Sequence, residues 1–370
     1  MRILLLEPFY GGSHKAVADG FAACSRHQVD ILSLAPRFWK WRMRGSALAF
    51  IRQVKNLTDY DLVFATDMVD VTDFKALAGP QCPPVALYFH ENQLSYPLEP
   101  GEKRDFHLGF TNIISALAAD QVFFNSKFHR DDFFSAAKSL IRKMPDLRPG
   151  WVLDNIRSKT GVLYPGIELD PKVVVSSEQE KSRLDRPLVI WNHRWEYDKN
   201  PKTFFTVLER LKRRGILFYL AVMGEQYDSV PEAFKGIDKR FDVELLVCGY
   251  QEQVADYRKW LAQGRVVIST AIQENFGISV MEAVAHACFP LLPNRLSYPE
   301  LIPERLKSDV IYHDDADLEA KLERILVKPD AYQDKTVALA AHAERFSWVH
   351  MAQKWDEMLC QTGESGRRRH

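Results

Sequence analysis

Short apolar runs recur along the whole chain, separated by longer stretches in which apolar and polar residues mix. Such runs are too short for helices and are typical of strands buried on both faces of a parallel sheet. The first half is predicted to contain the strands Arg2–Glu7, Val29–Leu34, Asp61–Thr66, Pro84–Phe89, Gln121–Phe124 and Thr160–Tyr164. The second half is predicted to contain Pro187–Trp191, Ile216–Val222, Val243–Val247, Val266–Thr270 and Phe289–Leu292. The mixed stretches favour helices, so the pattern predicts an α/β fold.

The strand–helix rhythm is interrupted over residues 170–186, which are polar and have no apolar period. A polar interruption of this kind is typical of a linker between domains. The sequence therefore predicts two Rossmann-like, doubly wound domains, residues 1–169 and 187–345, facing each other across a cleft. Residues 346–370 are predicted to form a final helix and tail, and the apolar spacing of the helix requires another surface, for which we expect the N-terminal domain.

The stretch from Gln273 to Glu282 has the strongest chemical pattern in the chain. A buried strand ends before it, a glycine turn follows, and a helix is predicted over Ile278–Ala285. The free N–H groups at a helix amino end attract phosphate. Glu274 and Glu282 bracket this end and would repel phosphate, so they suit the hydroxyl groups of a ribose and a sugar. Alternatively, the helix is simply capped and Glu274 lies in solvent, but Glu282 lies among apolar residues and needs a partner.

Polar residues also follow several other predicted strands, at the edge where open α/β sheets bind ligands. Gly11 and Gly12 follow the first strand, with Ser13 as a candidate helix N-cap. The run from His90 to Gln93 follows the fourth strand, and Asn125 follows the fifth. The alternatives are an ordinary strand–helix turn at the glycines and a structural role for His90.

Two cations, Arg194 and Lys199, follow the first strand of the second half. Both can reach one anion at that sheet edge, the arginine through a bidentate fork and the lysine as a point charge. Alternatively, both are surface cations. Asn200 is a candidate cap for the helix that Pro201 opens.

A cation–aromatic segment, residues 36–45, is predicted to be a surface loop. Its cations can meet phosphates and its aromatic rings can stack on bases or sugars. The residues are Arg37, Phe38, Trp39, Lys40, Trp41, Arg42 and Arg44. Alternatively, the segment is a partly packed loop whose long side chains cover apolar surface.

Composition narrows the choice of partners. The 49 basic and 49 acidic residues leave no net charge, so binding to nucleic acid has to depend on a local patch. The five cysteines are scattered, which indicates neither a zinc site nor a disulfide framework and suits the cytoplasm. Asp315 and Asp317 form an acidic D-x-D pattern, which we interpret as solvated surface. We expect no bound metal, no signal peptide and no stable membrane insertion.

The order of Arg194, Lys199, Glu274 and Glu282 resembles the retaining family 4 glycosyltransferases of the GT-B fold. Further motifs resemble the tRNA-queuosine α-mannosyltransferase family and extend the resemblance from Met1 to about Trp348. These motifs run from Glu7 to Lys15, Lys40 to Arg44, Tyr88 to Pro97 and His193 to Lys199. The resemblance implies GDP-mannose as the donor, without any other cofactor, and a queuosine nucleoside in a tRNA anticodon as the acceptor.

The same resemblance implies a role for each candidate residue. The implied catalytic residues are His90, Arg194, Lys199 and Glu274. The implied donor-binding residues are Gly11, Gly12, Asn125, Arg194, Lys199, Gly249, Tyr250, Glu274, Asn275, Phe276, Gly277, Ile278 and Glu282. The implied tRNA-binding residues are His14, Arg37, Trp39, Lys40, Trp41, Arg42, Arg44, Glu91, Asn92 and Gln93.

Two alternatives remain open at the level of sequence. One is a family 4 transferase with another nucleotide sugar and a lipid or polysaccharide acceptor. The other is a non-catalytic protein of the same fold that binds nucleotides or RNA. The sequence does not distinguish guanine from uracil in the donor and gives no oligomeric state.

Overall fold

The computed structural model describes residues 1–98, 101–169, 184–226 and 230–367, with side chains as far as residue 363. The chain forms two compact units, Met1–Gly166 with Trp348–His370, and Ile167–Ser347. Most of the predicted linker, residues 170–183, lies outside the described residues.

Each unit contains a sheet of six parallel strands, which confirms the predicted α/β class. In the first unit the strands are β1 (Arg2–Glu7), β2 (Gln28–Ser33), β3 (Leu62–Thr66), β4 (Val85–Phe89), β5 (Gln121–Phe124) and β6 (Thr160–Val162). In the second they are β7 (Leu188–Trp191), β8 (Tyr219–Val222), β9 (Leu245–Cys248), β10 (Gly264–Ile268), β11 (Phe289–Pro293) and β12 (Ile311–Tyr312). The two-residue strand β12 was not predicted, because so short a run has no sequence signal.

Helices connect successive strands in both units. Their bounds are α1 (Gly12–Cys24), α2 (Trp39–Gln53), α3 (Val71–Ala78), α4 (Phe106–Ala118), α5 (Lys127–Lys143), α6 (Trp151–Arg157), α7 (Pro201–Arg213), α8 (Ile237–Arg240), α9 (Val254–Gln263), α10 (Ile278–Ala285), α11 (Tyr298–Leu301), α12 (Lys307–Val310), α13 (Asp315–Val327), α14 (Gln333–Ala343) and α15 (Trp348–Arg367). Among the described residues, no helix is both long and apolar enough to cross a bilayer.

The strand order decides where each unit can bind a ligand. The first sheet has the order β2-β1-β3-β4-β5-β6, and the second has β12-β11-β10-β7-β8-β9. The direction of winding reverses between β1 and β3 and again between β7 and β10. Ligands of open parallel sheets bind outside the carboxyl ends of the strands at such a reversal. The two candidate sites are therefore expected after β1 and β3 in one unit and after β7 and β10 in the other.

The final helix, α15, belongs to the core of the first unit. Trp355 is fully buried, and its ring lies 5.0 Å from that of Phe21, 5.5 Å from Phe64 and 4.9 Å from Tyr88. Its indole nitrogen donates to the carbonyl of Tyr164 at 2.8 Å. An apolar ring with a satisfied N–H is a stable arrangement for a buried tryptophan.

The cation–aromatic segment was wrongly predicted as a loop, because residues from Trp39 onward form α2. Its apolar residues recur at helical spacing, so Met43, Ala47 and Phe50 are buried on one face. The aromatic and cationic residues at the start of the segment obscured this helical spacing in the sequence.

Two cap predictions also differ from the structure. The N-cap of α1 is Gly11 rather than Ser13, and no side chain caps that end. Asn200 is the N-cap residue of α7, but its side chain donates to the Thr203 hydroxyl at 3.1 Å and caps no backbone N–H. Its left-handed φ of 50° turns the chain sharply between Lys199 and Pro201.

Candidate functional site

Lys199 is the central cation of the second unit, and it is 6% exposed. Its Nζ donates to the Gln273 carbonyl at 2.8 Å and lies 3.1 Å from Asp198 Oδ2 and 3.5 Å from Glu274 Oε2. Burial by itself lowers the pKa of Lys199, but the carboxylates of Glu274 and Asp198 outweigh it, so the pKa is raised. The lysine is therefore a buried cation held at the edge of β7 and β10.

Gly277 sets the position of Glu274. It is the N-cap of α10 and has a φ of +92°, which a residue with a side chain rarely adopts. A Cβ there would lie 3.1 Å from the Tyr298 ring and 3.5 Å from Glu274 Cγ. The Glu274 side chain is 19% exposed. The alternative in which Glu274 lies in solvent is therefore wrong, because the turn folds the Glu274 side chain back to Lys199.

Glu282 lies on α10 and is partly buried. The Tyr257 hydroxyl donates to its Oε2 at 3.1 Å, and this phenol is the partner that the apolar surroundings require. Asn192, directly after β7, donates from Nδ2 to the same hydroxyl at 3.0 Å. Burial raises the pKa of Glu282 to about 7, although the bond from Tyr257 opposes the increase. Glu282 therefore lies close to the point at which it loses its charge at neutral pH.

Arg194 differs from Lys199 in its exposure. Its side chain is 41% exposed, and Nη2 pairs with Glu196 Oε2 at 3.0 Å. The positive charge of Arg194 contributes to the electrostatic environment of Lys199. The alternative of two surface cations is wrong for Lys199, and an anion that binds Arg194 has to compete with Glu196.

The ends of the neighbouring strands β8 and β9 contribute backbone groups, rather than charged side chains, to this edge of the sheet. Gly224 follows β8 with a φ of +141°, and a Cβ there would lie 1.9 Å from the His193 carbonyl oxygen. Only glycine allows this approach of the two strand ends. His193 is buried, which with the charge of Lys199 lowers its pKa to about 3, so it is neutral. After β9, Gly249 has a φ of +113°, and Tyr250 is 63% exposed.

A buried cluster of Glu7, His14 and His90 lies at the winding reversal of the first unit. Glu7 accepts from the N–H of Phe9 at 2.9 Å, and both its carboxylate oxygens lie 3.2 Å from His14 Nδ1. The rings of His14 and His90 are 4.0 Å apart. Burial lowers the pKa of His14, but Glu7 outweighs this and raises it to about 9. His14 is therefore cationic at neutral pH.

His90 carries no charge at neutral pH. Burial, together with the charges of His14 and His129, lowers its pKa well below the usual value. The backbone N–H of His90 donates to Asp67 Oδ1 at 2.8 Å, and the backbone carbonyl of His90 accepts from Asn125 Nδ2 at 2.8 Å. Burial raises the pKa of Asp67 to about 8. Asn125 was predicted to bind the nucleotide-sugar donor, and its side chain fixes the backbone of His90.

The polar run after His90 is held in one conformation. The side chain of Asn92 accepts from the N–H groups of Leu94 and Ser95, both at 3.1 Å. Gln93 donates from its N–H to Asn112 at 2.8 Å and from its side chain to Glu91 at 3.0 Å. Asn92 is 1% exposed, so its side chain stabilises the turn and is covered from solvent.

Within the described part of the chain, Glu7, His14 and His90 also form the set that could hold a metal ion. One ligand atom from each lies within 4.8 Å of the others. Glu7, however, already accepts from His14 and from the Phe9 backbone. Hydrogen bonding therefore accounts for the contact between Glu7 and His14, and His90 Nε2 lies farther away, 3.7 Å from Glu7 Oε2. The other acidic pair, Asp315 and Asp317, lies on the first turn of α13, where Asp314 caps the helix.

The start of α2 lies beside the glycine turn of α1. A Cβ on Gly11 would lie 2.6 Å from Pro36 Cβ, so only glycine allows this contact. Trp39 packs with Met43 in a small apolar cluster, whereas Phe38 and Trp41 are 69% and 77% exposed. The segment is thus split between packing and surface. Its exposed cations are Arg37, Lys40 and Arg44, and Arg42 bonds the Ala35 carbonyl.

Sequence reasoning missed Tyr257, Asn192 and Asp67. Asn192 and Asp67 directly follow strands, and that position was a usable signal. Tyr257 lies within α9, and nothing in its neighbourhood along the chain points to Glu282.

Two family descriptions match the chain. Residues 2–167 match the N-terminal domain of tRNA-queuosine α-mannosyltransferases, and residues 175–339 match the group 1 glycosyl transferases. A protein of Drosophila melanogaster named tRNA-queuosine α-mannosyltransferase is 36% identical over 311 residues, which cover 82% of each chain.

Solved structures share the fold at low identity. Sucrose-phosphate synthase of Thermosynechococcus elongatus has a TM-score of 0.75 at 14% identity and covers 99% of this chain and 100% of its own. HepE of Anabaena, solved with UDP and glucose, has a TM-score of 0.66 at 16% identity, with 97% and 99% covered. A trehalose-6-phosphate protein of E. coli, bound to UDP-2-fluoro glucose, has a TM-score of 0.68 at 12% identity, with 98% and 99% covered.

Proposed function

This chain belongs to the tRNA-queuosine α-mannosyltransferase family, and we propose that it transfers mannose from GDP-mannose to the queuosine nucleoside of a tRNA anticodon. Membership confirms the predicted resemblance, and the matched domain and named relative confirm the class of enzyme, a glycosyltransferase. The GT-B fold is likewise confirmed. The donor, retention at the anomeric carbon, the residue roles and a cytoplasmic location beside tRNA are parts of the proposal.

The observation that carries the proposal is the meeting of Lys199 and Glu274 at the amino end of α10. The free N–H groups of this helix end and a buried lysine favour a phosphate, whereas Glu274 disfavours one. A ligand with a diphosphate and adjacent hydroxyl groups satisfies both. A nucleotide sugar is such a ligand.

The proposed donor roles follow from this arrangement. Lys199 and Arg194 stabilise the charge that develops on the departing diphosphate, which is the main source of rate in a reaction without a required metal. Backbone N–H groups from Phe276 to Ile278 hold the distal phosphate. Glu274 accepts from sugar hydroxyls and Glu282 from the ribose. Asn275, Gly277, Gly249 and Tyr250 complete the proposed donor-binding set.

The first unit is proposed to supply the acceptor side. Within this unit, Gly11 and Gly12 are proposed donor-binding residues, and neutral His90 is a proposed catalytic residue. The leaving phosphate accepts the proton of the acceptor hydroxyl on the face of attack. The tRNA would contact Glu91, Gln93 and the cation–aromatic segment at the start of α2. Asn92 and His14, which were also predicted to bind tRNA, are buried and would support these contacts from beneath.

The test uses purified enzyme, labelled nucleotide sugars and two tRNA preparations, one containing queuosine and one lacking it. We expect label transfer from GDP-mannose to the queuosine-containing tRNA alone. UDP-glucose and UDP-N-acetylglucosamine serve as donor controls. Transfer from a UDP-sugar in preference to GDP-mannose overturns the donor, and transfer to tRNA that lacks queuosine overturns the acceptor.

A further inference from the structure

A chain of hydrogen bonds joins three elements of the second unit and ends at Glu282. Asn192 follows β7, Tyr257 lies on α9 and Glu282 lies on α10. The Asn192 amide donates to the Tyr257 hydroxyl at 3.0 Å, and that hydroxyl donates to Glu282 Oε2 at 3.1 Å. Neither Tyr257 nor Asn192 has a place in the donor-binding set described above.

The direction of this chain is fixed. The Asn192 Nδ2 also donates to the carbonyl of Ser279 at 2.6 Å, and a carbonyl can only accept. The amide nitrogen must therefore face both partners, so the Tyr257 oxygen accepts and its hydrogen is directed at Glu282. One carboxylate oxygen of Glu282 is thereby occupied, and the other is left to accept from a ligand.

The charge of Glu282 depends on this bond. Burial and the negative charge of Glu168 favour the neutral acid, whereas the bond from Tyr257 and the positive charge of Arg258 favour the carboxylate. His286 contacts the backbone carbonyl of Glu282 at 2.8 Å and does not face the carboxylate through that contact. With the pKa of Glu282 at about 7, loss of the phenol shifts the balance toward the neutral form.

We propose that Tyr257 is a positioning residue that holds Glu282 as an ionised acceptor for the ribose hydroxyls of a nucleoside diphosphate. The inference rests on the proposed function, because the ribose contact of Glu282 belongs to it. Tyr257 itself need not touch the ligand. Its substitution is expected to weaken only ligands that have ribose hydroxyls, and to do so mainly at the lower end of the neutral pH range.

The test measures calorimetric binding of GDP and of 2′,3′-dideoxy-GDP to the full chain and to Tyr257→Phe at pH 6.5 and pH 8.5. We expect about tenfold weaker binding of GDP to the variant at pH 6.5, from the loss of one hydrogen bond to a charged group. At pH 8.5 most of the loss should disappear, because Glu282 ionises there without the phenol. The dideoxy ligand should bind wild type and variant equally at both pH values.

Tyr219→Phe is the matched control, because Tyr219 also donates to a carboxylate, Asp185 Oδ1 at 2.9 Å, but at the amino end of β8. It should leave every affinity unchanged. Equal weakening of GDP and the dideoxy ligand by Tyr257→Phe, or no weakening of GDP, overturns the inference. If wild type binds UDP rather than GDP, only the proposed base is wrong and the comparison proceeds with UDP. If wild type binds neither GDP nor UDP, both the proposed function and this inference are wrong.

Discussion

At the scale of single residues, the two donor-side cations have different surroundings. Lys199 is buried between Asp198 and Glu274, whereas Arg194 is partly exposed and pairs with Glu196. Removing a buried charge leaves its partners unpaired in the protein interior, whereas the partner of an exposed charge can be solvated by water. We therefore expect that Arg194 is needed for turnover alone, whereas Lys199 is needed for both turnover and folding.

Arg194→Ala is expected to lower kcat by about 10²–10³-fold with the fold intact, because it removes a charge proposed to stabilise the leaving diphosphate. Turnover with GDP-mannose and queuosine-containing tRNA, together with a thermal melt, measures both effects. Arg213→Ala, an exposed arginine on α7, is the control. Turnover of Arg194→Ala within a few-fold of wild type would contradict the assigned role.

Lys199→Ala is expected to lose turnover and also about 3–5 kcal/mol of stability, because the buried carboxylate of Asp198 and the partly buried one of Glu274 lose their partner. Denaturant unfolding beside Lys202→Ala, an exposed lysine on α7, measures the difference. An unchanged unfolding midpoint would show that Asp198 and Glu274 are compensated in another way.

His14 gives stability a pH dependence. Its folded pKa of about 9 exceeds the usual 6.5, so its contribution is fully present below pH 6.5 and is lost as the pH rises through 9. We expect the free energy of unfolding to fall between these values in wild type and to fall less in His14→Asn. Denaturant titrations at pH 6.5 and 9 measure this change. An equal decrease in the free energy of unfolding in both proteins would contradict the ion pair with Glu7.

At the scale of elements, α2 changes the meaning of the cation–aromatic segment. A loop would present both tryptophans to RNA, but the helix directs Trp39 into a cluster with Met43 and leaves Trp41 exposed. Exposed Lys40, Arg44 and Trp41 share the outer part of the helix start. The proposed tRNA contact is thus a helix surface, and its residues are not equivalent.

Trp41→Ala is expected to raise KM for tRNA by about 10-fold, within the roughly 1–3 kcal/mol that base stacking on an aromatic ring contributes. Hydrolysis of GDP-mannose without tRNA should stay unchanged. Trp151→Ala, at a tryptophan 62% exposed on α6, is the control in the same unit. If Trp41→Ala lowers hydrolysis as much as transfer, Trp41 acts through structure and the proposed contact fails.

At the scale of the whole molecule, α15 ties the end of the chain into the first unit. Trp355 is enclosed by Phe21, Phe64 and Tyr88, and Trp348 leaves so little room at Gly20 that a Cβ there would lie 2.0 Å from its indole nitrogen. The first unit is therefore not closed by its own sheet and helices alone. It needs a segment that follows the second unit in sequence.

Trp355→Ala is expected to cost about 3–5 kcal/mol of stability, because a large buried ring is replaced by a cavity. Thermal unfolding followed by tryptophan fluorescence and circular dichroism measures it, again with Trp151→Ala beside it. A loss no greater than that of the exposed control would mean that α15 is dispensable to the core.

The sequence predicted those features that depend on neighbours along the chain. The bounds of β1, β5 and α10 match the prediction residue for residue, because a short buried strand and an apolar helix after a glycine turn are local patterns in the sequence. Tyr257 could not be predicted in the same way, and the only signal for Asp67 was its position directly after β3. Their roles arise from partners on other elements, and only the sheet order brings these partners together. At α2, strong cationic and aromatic composition obscured a helical period.

The return of α15 also has a consequence for synthesis. Residues Ile167–Ser347 are synthesised before Trp348 and Trp355, at about 5–20 residues per second. The first unit therefore exposes the apolar surface that α15 covers for as long as the second unit is being made. During that interval of roughly ten to forty seconds, the nascent first unit is the part of this protein most in need of a chaperone.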